Sequence, residues 1–590
     1  MNIIFNILLT LFCCSPVFSQ QYYIRGEVKD ESGNVLQNVT ILQHKTGYLF
    51  KSGSSGTFGI ITHQAVDTFS FSLEGFRTER VVAKADIYLS VKLKVLPANA
   101  SRIRRDNLSS FTKNLEKEEQ RSWFTGDESY ASLLENHFIN AKKFPSTGMS
   151  LNVDRASYSN VRRFITLKTM VPPDAVRVEE MLNYFNLDYH EPTGDDLFKI
   201  KTTLSTCPWN PDNQLLYINL SAKKLNLDTL APSHLVFLID VSGSMDMPNR
   251  LPLLQSSFKL LVNNLREKDS VAIVVYGGVT GIMLQTTSGC EKEKILKVID
   301  ELTPSGNTPG ESGIKLAYSV ARNHFIEGGN NRVILATDGD FNVGLKTEQE
   351  LAELISSQKE SRVYLTCLGV GMGNYKDSKI HLLAEKGNGN FAYLDNFKEA
   401  EKVLLKEFTQ TLYAVADNVH MDVEFNPELV KEYRLVGFDN KVGALRDSLS
   451  SVEGGEIGSG HSMLAMFEII PTDINKKAVK DNFTSGKLAD IRLRYQLPDD
   501  TTKRFFNYSS QFDFIPAAEL DKCYQFSAAV AMFGSLLRSS PFLKNIGWNE
   551  IIALAESSSV SNDLLQKDFL ALLQEVKILY SKGKKKKGRH

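Results

Sequence analysis

"HLVFLIDVSGSMDMPNR", residues 234 to 250, decides the fold. An apolar run suited to a buried strand ends in Asp240, and hydroxyls follow at Ser242 and Ser244. Alternate side chains of an extended chain point the same way, so D-x-S-x-S presents one carboxylate and two hydroxyls to a common point. A strand that ends in three oxygen donors reads as half of a cation cage.

Outward from this stretch, residues 232 to 415 alternate apolar strand runs with helical patterns. "SVAIVVYGG", "RVILATDG" and "RVYLTCLGVG" are separated by "LPLLQSSFKLLVNNLRE", "GESGIKLAYSVARNHF" and similar segments. Strands apolar on both faces, alternating with helices, predict a doubly wound α/β domain with a largely parallel sheet covered on both sides. In such a sheet ligands bind beyond the carboxyl ends of the strands, where strand order reverses, and the first strand commonly lies there.

Two further loops reach that edge. "TPSGNTPGESG" carries Thr308 just ahead of a helix, and in "ATDGD" Asp338 ends an apolar strand. The candidate metal ligands Asp240, Ser242, Ser244, Thr308 and Asp338 are all hard oxygen donors, which suits Mg²⁺ or Mn²⁺ rather than zinc. Two carboxylates balance a divalent ion, and an open position accepts an acidic side chain from a partner.

Neighbouring features carry blander readings. Asp246 and Asp340 have no assigned role, and Glu311 suits the first turn of its helix. In "LGVGMGNYK" the glycines Gly369, Gly371 and Gly373 lack the G-x-G-x-x-G spacing of a dinucleotide site. "SGHSM" around Ser462 lacks the closing glycine of a nucleophile elbow, there is no H-E-x-x-H, and His461 reads as a polar residue at a strand edge.

D-x-S-x-S with a distant threonine and T-D-G resembles the metal-ion-dependent adhesion site of von Willebrand factor type A domains. That resemblance implies direct ligation by Ser242, Ser244 and Thr308, with Asp240 and Asp338 often acting through water. "PNRLPLLQSSFKLLVNNLREKDSVAIVVYGG" and "NRVILATDGDFNVG" are similar to a bacterial subfamily that has a characteristic preceding segment and a C-terminal domain of unknown function. The likeness covers roughly residues 145 to 580.

The flanks differ in pattern. Residues 20 to 97 alternate apolar and polar positions in short runs broken by turns, which predicts a small β-sandwich. "GEVKDESGNVLQNVTILQ" followed by "SGSSGTFGI" resembles the carboxypeptidase regulatory-like (transthyretin-like) domain, which implies a spacer or docking module without chemistry. Residues 98 to 145 read as a polar linker. Residues 146 to 231 hold a short strand, two helices around a Pro-Pro break, and two strands. Strand patterns return over 416 to 515, so the α/β domain is expected as an insertion in a β-sandwich built from both flanks. Helical periodicity follows over 516 to 582, then a basic tail over 583 to 590.

Composition bounds the function. A chain of 590 residues needs several domains. A formal net charge of -1 gives no electrostatic reason to bind nucleic acid or an anionic membrane. "MNIIFNILLTLFCCSPVFSQ" is too short for a span and ends with small residues, so residues 1 to 19 are expected to be a signal peptide. Lipid anchoring at Cys13 or Cys14 is the alternative, although the preceding residues fit a lipobox poorly. The remaining cysteines, Cys207, Cys290, Cys367 and Cys523, contain no C-x-x-C pair.

The expected protein is exported, periplasmic or at the cell surface or secreted, and is not an enzyme. It uses Mg²⁺ (or Mn²⁺) to capture an Asp or Glu carboxylate of a partner protein. A metal-dependent hydrolase, or an envelope scaffold in which the metal only pins loops, are the alternatives.

Overall fold

The computed structural model describes residues 22 to 586 except 95–127, 307–309, 340–352, 356–361, 439–453, 482–485 and the loop positions 32, 47–48, 54, 63, 74–75, 86, 132, 152–153, 227, 278–279, 373–374 and 499. The expected signal segment, most of the expected linker, Thr308, Asp340 and Gly373 therefore lie outside the described residues. The chain divides into two compact units, Met1–Glu128 and Ser129–His590.

In the first unit, Thr57–Thr62, Tyr22–Asp30 and Leu89–Leu93 form a three-stranded sheet. Leu49–Lys51, Thr40–Gln43, Val66–Ser72 and Glu79–Lys84 form a four-stranded one. Strict alternation along Tyr22–Asp30 turns Ile24 and Val28 inward. They meet Ile41, Phe58, Phe69 and Phe71 in a single core.

The centre of the second unit is a six-stranded sheet. Its strands are β1 (Ser233–Asp240), β2 (Ser270–Tyr276), β3 (Gly281–Ser288), β4 (Asn330–Thr337), β5 (Tyr364–Gly369) and β6 (Phe391–Tyr393), in the order β3-β2-β1-β4-β5-β6. All neighbours pair in parallel except β3, which runs antiparallel at the edge. The covering helices are α1 (Leu251–Asn263), α2 (Lys292–Asp300), α3 (Gly310–Asn323) and α4 (Asp377–Lys386). Leu235, Phe237 and Ile239 of β1 pack with α1 and α2, while Val236 and Leu238 pack with α3 and α4. That is why β1 is buried throughout and unbrokenly apolar from Leu235 to Ile239. Strand order reverses between β1 and β4, so their trailing loops border the crevice of the sheet.

Strands on both flanks of this domain pair with one another. Gln214–Ala222 pairs with Phe198–Thr206 on one side and with Ser462–Pro471 on the other, Leu215 opposite Glu468. Ser146–Ser150 pairs with Ala414–Phe425, which continues into Lys487–Gln496 and Arg504–Gln511. Leu216, Ile218 and Leu220 of one sheet meet Met421, Val423, Ile491 and Leu493 of the other.

The opposite face of Gln214–Ala222, with Leu215 and Tyr217, lies against a helical layer. That layer joins Ala156–Thr166 and Val178–Tyr184 to Lys522–Leu537, Trp548–Ser558 and Leu564–Lys586 around Tyr158, Phe185, Phe526 and Phe569. Ala156–Thr166 also covers the β6 edge: Asp154 accepts from the Phe391 amide at 2.8 Å and the Ser159 hydroxyl donates to the Tyr393 carbonyl at 2.7 Å.

Residues 129 to 145 differ from the linker expected there. The Ser129 amide bonds the Tyr375 carbonyl at 3.1 Å, and Ile139–Asn140 pairs with Tyr433 and Glu432. A two-residue strand is too short to leave a period in the sequence. Among the described residues, no helix is long and apolar enough to cross a membrane.

Candidate metal centre

β1 delivers Asp240 to the carboxyl edge of the sheet, opposite Tyr276 of β2. The Val241 amide bonds the Tyr276 carbonyl at 2.8 Å, and the chain then turns through a single 3-10 turn, Gly243–Met245, led by Ser242. The Ser242 amide donates to Asp240 Oδ1 at 2.9 Å, and the Ser242 and Ser244 hydroxyl oxygens stand 3.0 Å apart. Asp240 is 0% exposed and Ser242 2%, whereas Ser244 is half-buried. Gly277 permits this turn: at φ 126°, a Cβ there would stand 2.4 Å from the Ser242 nitrogen.

The loop that leads to Thr308 is tied to the same turn. Ser305 N donates to the Val241 carbonyl at 2.6 Å, and Gly243 N donates to the Gly306 carbonyl at 3.1 Å. Thr308 itself, two residues beyond Gly306, lies outside the described residues.

Asp338 follows β4 and is 1% exposed. Thr337, just before it, donates its hydroxyl to Asp240 Oδ2 at 3.2 Å and accepts the Gly339 amide at 3.0 Å. Burial, and then the neighbouring Asp338 carboxylate, push the Asp240 carboxyl up to about 7. Two buried carboxylates with the Ser242 and Ser244 hydroxyls beside them, Ser244 facing partly outward, form a set that a hard divalent cation would stabilise. The donor chemistry therefore fits a hard divalent cation.

Sequence reasoning missed Arg250. It stands immediately before α1, and its Nη1 reaches Asp338 Oδ2 at 2.5 Å and the Ser244 carbonyl at 2.7 Å, while Nη2 reaches the Met372 carbonyl at 2.8 Å. The only local signal was a lone arginine at a helix entrance within the opening stretch.

Other singled-out residues fall into structural roles. Glu311, in the first turn of α3, pairs with Lys315 at 2.5 Å. Asp246 is exposed beside the 3-10 turn. Gly371 has φ 80° and faces the Arg250 side chain, so its glycine serves packing. His461 is more buried than a strand-edge residue: it is 6% exposed, and its Nε2 lies 2.5 Å from Arg155 Nη2. Cys367 is a fully buried member of the apolar layer under α3 and α4. Beside the site loops, a depression of ≈ 430 Å³ is lined by Val241, Val275, Gly277, Met283, Leu302 and Ser305 among others.

This fold and this site define a von Willebrand factor type A domain protein. The family described as "von Willebrand factor type A domain" matches residues 234–409, "von Willebrand factor" matches 125–217, and "Uncharacterized protein YfbK, C-terminal" matches 410–579. "Uncharacterized protein YfbK" of Escherichia coli (strain K12) is 38% identical over 453 residues, which span 73% of this chain and 78% of that protein. The chain belongs to the YfbK family. "Uncharacterized protein sll0103" of Synechocystis is 24% identical over 216 residues, 36% of this chain and 50% of that protein. Among solved structures, a "von Willebrand factor type A from Catenulispora acidiphila" is 13% identical, covers 66% of this chain and 90% of its own, and superposes with a TM-score of 0.39.

Proposed function

We propose that this protein is a metal-dependent binding protein. Mg²⁺, or Mn²⁺, held by Asp240, Ser242, Ser244, Thr308 and Asp338 captures an Asp or Glu side chain of a partner protein. The observation that carries this reading is the convergence of Asp240 and Asp338, both buried, with the Ser242 and Ser244 hydroxyls at the edge where strand order reverses. The ion would supply the charge that binds the partner's carboxylate. The chain's own part is to hold the hydroxyls: the Ser242 amide fixes Asp240, Thr337 fixes its second oxygen, and the Val241–Ser305 and Gly243–Gly306 bonds fix the neighbouring loop.

The depression beside the site, with Met283 47% exposed on its wall, offers apolar contact around the central charge. A charged anchor beside an apolar patch lets orientation and buried area come from different groups.

The same reading treats the A domain as an insertion into a β-sandwich, for which the pairing of Gln214–Ala222 with Ser462–Pro471 is the support. It takes the N-terminal unit as a carboxypeptidase regulatory-like spacer and residues 1 to 19 as an export signal, so the protein acts at the cell envelope. The test is affinity capture from envelope and culture fractions with wild type and Ser244→Ala as baits, each with Mg²⁺ or EDTA. A partner held only by wild type with Mg²⁺ is expected; the same proteins in all four conditions would contradict the reading.

A further inference from the structure

Arg250 occupies a position that the D-x-S-x-S pattern does not call for. Its side chain is 8% exposed, and its fork joins three loops: Ser244 after β1, Asp338 after β4 and Met372 after β5. Its passage depends on residue 371 being glycine, because a Cβ there would stand 2.5 Å from Arg250 Nε. A guanidinium threaded past a left-handed glycine to a buried carboxylate is a built feature, unlike a surface cation that settles wherever it finds an acid.

Its consequence is a charge count. Asp240 and Asp338 together carry two negative charges, which a divalent ion alone would cancel. A neutral centre has little electrostatic pull on a further carboxylate. With Arg250 included, the loaded centre is positive by one unit, in surroundings where charges act more strongly than in water. Arg250 also engages Asp338 Oδ2 at 2.5 Å, so the ion must share that carboxylate with it.

We propose that Arg250 sets the balance between metal affinity and carboxylate affinity at this centre: it loosens the hold on the ion and supplies the charge that draws an acidic ligand. This inference rests on the metal-site reading above.

The experiment is a Mn²⁺ titration by calorimetry of the full chain, as wild type, Arg250→Gln and Arg250→Lys, followed by acetate titration into each Mn²⁺-loaded protein. Arg250→Gln is expected to bind Mn²⁺ roughly tenfold tighter, about 1.4 kcal/mol, and acetate roughly tenfold more weakly. Arg250→Lys keeps the charge without the fork and is expected to restore acetate affinity to within about threefold of wild type. That variant also keeps the question answerable if Arg250→Gln fails to fold, since a lysine that does not hold acetate overturns the proposal. A mere loop staple gives the opposite sign: Arg250→Gln then binds Mn²⁺ more weakly and lysine does not rescue it, which overturns the proposal. If wild type binds Mn²⁺ through Asp240 but Arg250→Gln changes neither affinity, the role of Arg250 falls and the metal site stands. If wild type binds no Mn²⁺, both fall.

Discussion

Two of the buried carboxylate clusters among the described residues of the Ser129–His590 unit are finished in different ways. Asp154, Glu180 and His381 bring their ligand-type atoms within 4.8 Å of one another, close enough to resemble a metal site by inventory. The protein's own donors answer them. Asp154 takes the Phe391 amide at 2.8 Å and faces His381 Nδ1 at 3.2 Å; Glu180 takes the Ser157 amide at 2.9 Å and faces Arg177 at 3.4 Å. Arg177 in turn pairs with Asp377 of α4. At Asp240 and Asp338 the acids are likewise held, but two hydroxyls 3.0 Å apart converge with them beside half-buried Ser244. The first cluster fastens the helices that precede the A domain to that domain; the second is the one proposed to hold an ion. The number of acids does not distinguish them, but the pair of hydroxyls beside the second does.

Breaking the closed cluster is expected to have the largest effect. Arg177→Met leaves Glu180 and Asp377 buried without their shared cation, and a cost of about 3–5 kcal/mol in a denaturant midpoint is expected. A loss under about 1 kcal/mol would mean that water or an ion compensates them.

Next is the open cluster's backbone. Gly277→Ala puts a methyl 2.4 Å from the Ser242 nitrogen at a left-handed φ, so about 1–3 kcal/mol of strain is expected together with loss of Mn²⁺ binding by calorimetry. Retained binding would show that the Ser242 turn can shift without harm.

A pH effect sharpens the contrast. Burial, reinforced by the Asp154 and Glu179 carboxylates and opposed by Arg177 and His381, leaves Glu180 at about 7. Burial lowers His381, but the facing Asp154 carboxylate more than offsets it and holds the imidazole above its usual value. For Glu180 the unfolded chain releases its proton first, so stability falls between pH 4.5 and about 7. For His381 the stabilisation is complete below the unfolded value of 6.5 and is lost as pH rises through the higher folded value. Both senses agree. Asp240, likewise pushed up to about 7, adds in the same sense, so thermal unfolding of the metal-free protein is expected to show at least about 1–3 kcal/mol less stability at pH 8 than at pH 5, a difference that shrinks but persists in Glu180→Gln. An unchanged slope in that variant would place the titration elsewhere.

The smallest effect is a control on an exposed pair. Lys315→Ala removes its partner from Glu311 on the surface of α3, and a change below about 0.5 kcal/mol is expected. A larger loss would give Glu311 a role beyond its helix.

What was legible in the sequence followed from separation along the chain. The α/β domain was readable because each strand and helix carries its own period, and β1 is unbrokenly apolar from Leu235 to Ile239 since both faces are covered. Asp240, Ser242 and Ser244 were readable because they are neighbours at one strand end, and Asp338 because it ends another. Arg250 was not, since its partners Asp338 and Met372 lie 88 and 122 residues further on, and only the fold brings them together. The shared helical layer was hidden in the same way: Tyr158 and Phe569 have ring centroids 6.2 Å apart, yet each belongs to a helix whose sequence gives no hint of the other.

The central claim is that the loops after β1 and β4 hold a divalent ion. The direct test is Mn²⁺ calorimetry on wild type and Asp240→Asn, with circular dichroism to show that both are folded. The account expects one ion per wild-type chain and an affinity lower by on the order of 10–100-fold or more in the variant. Absence of Mn²⁺ binding by folded wild type, or equal affinity in the two proteins, would contradict it.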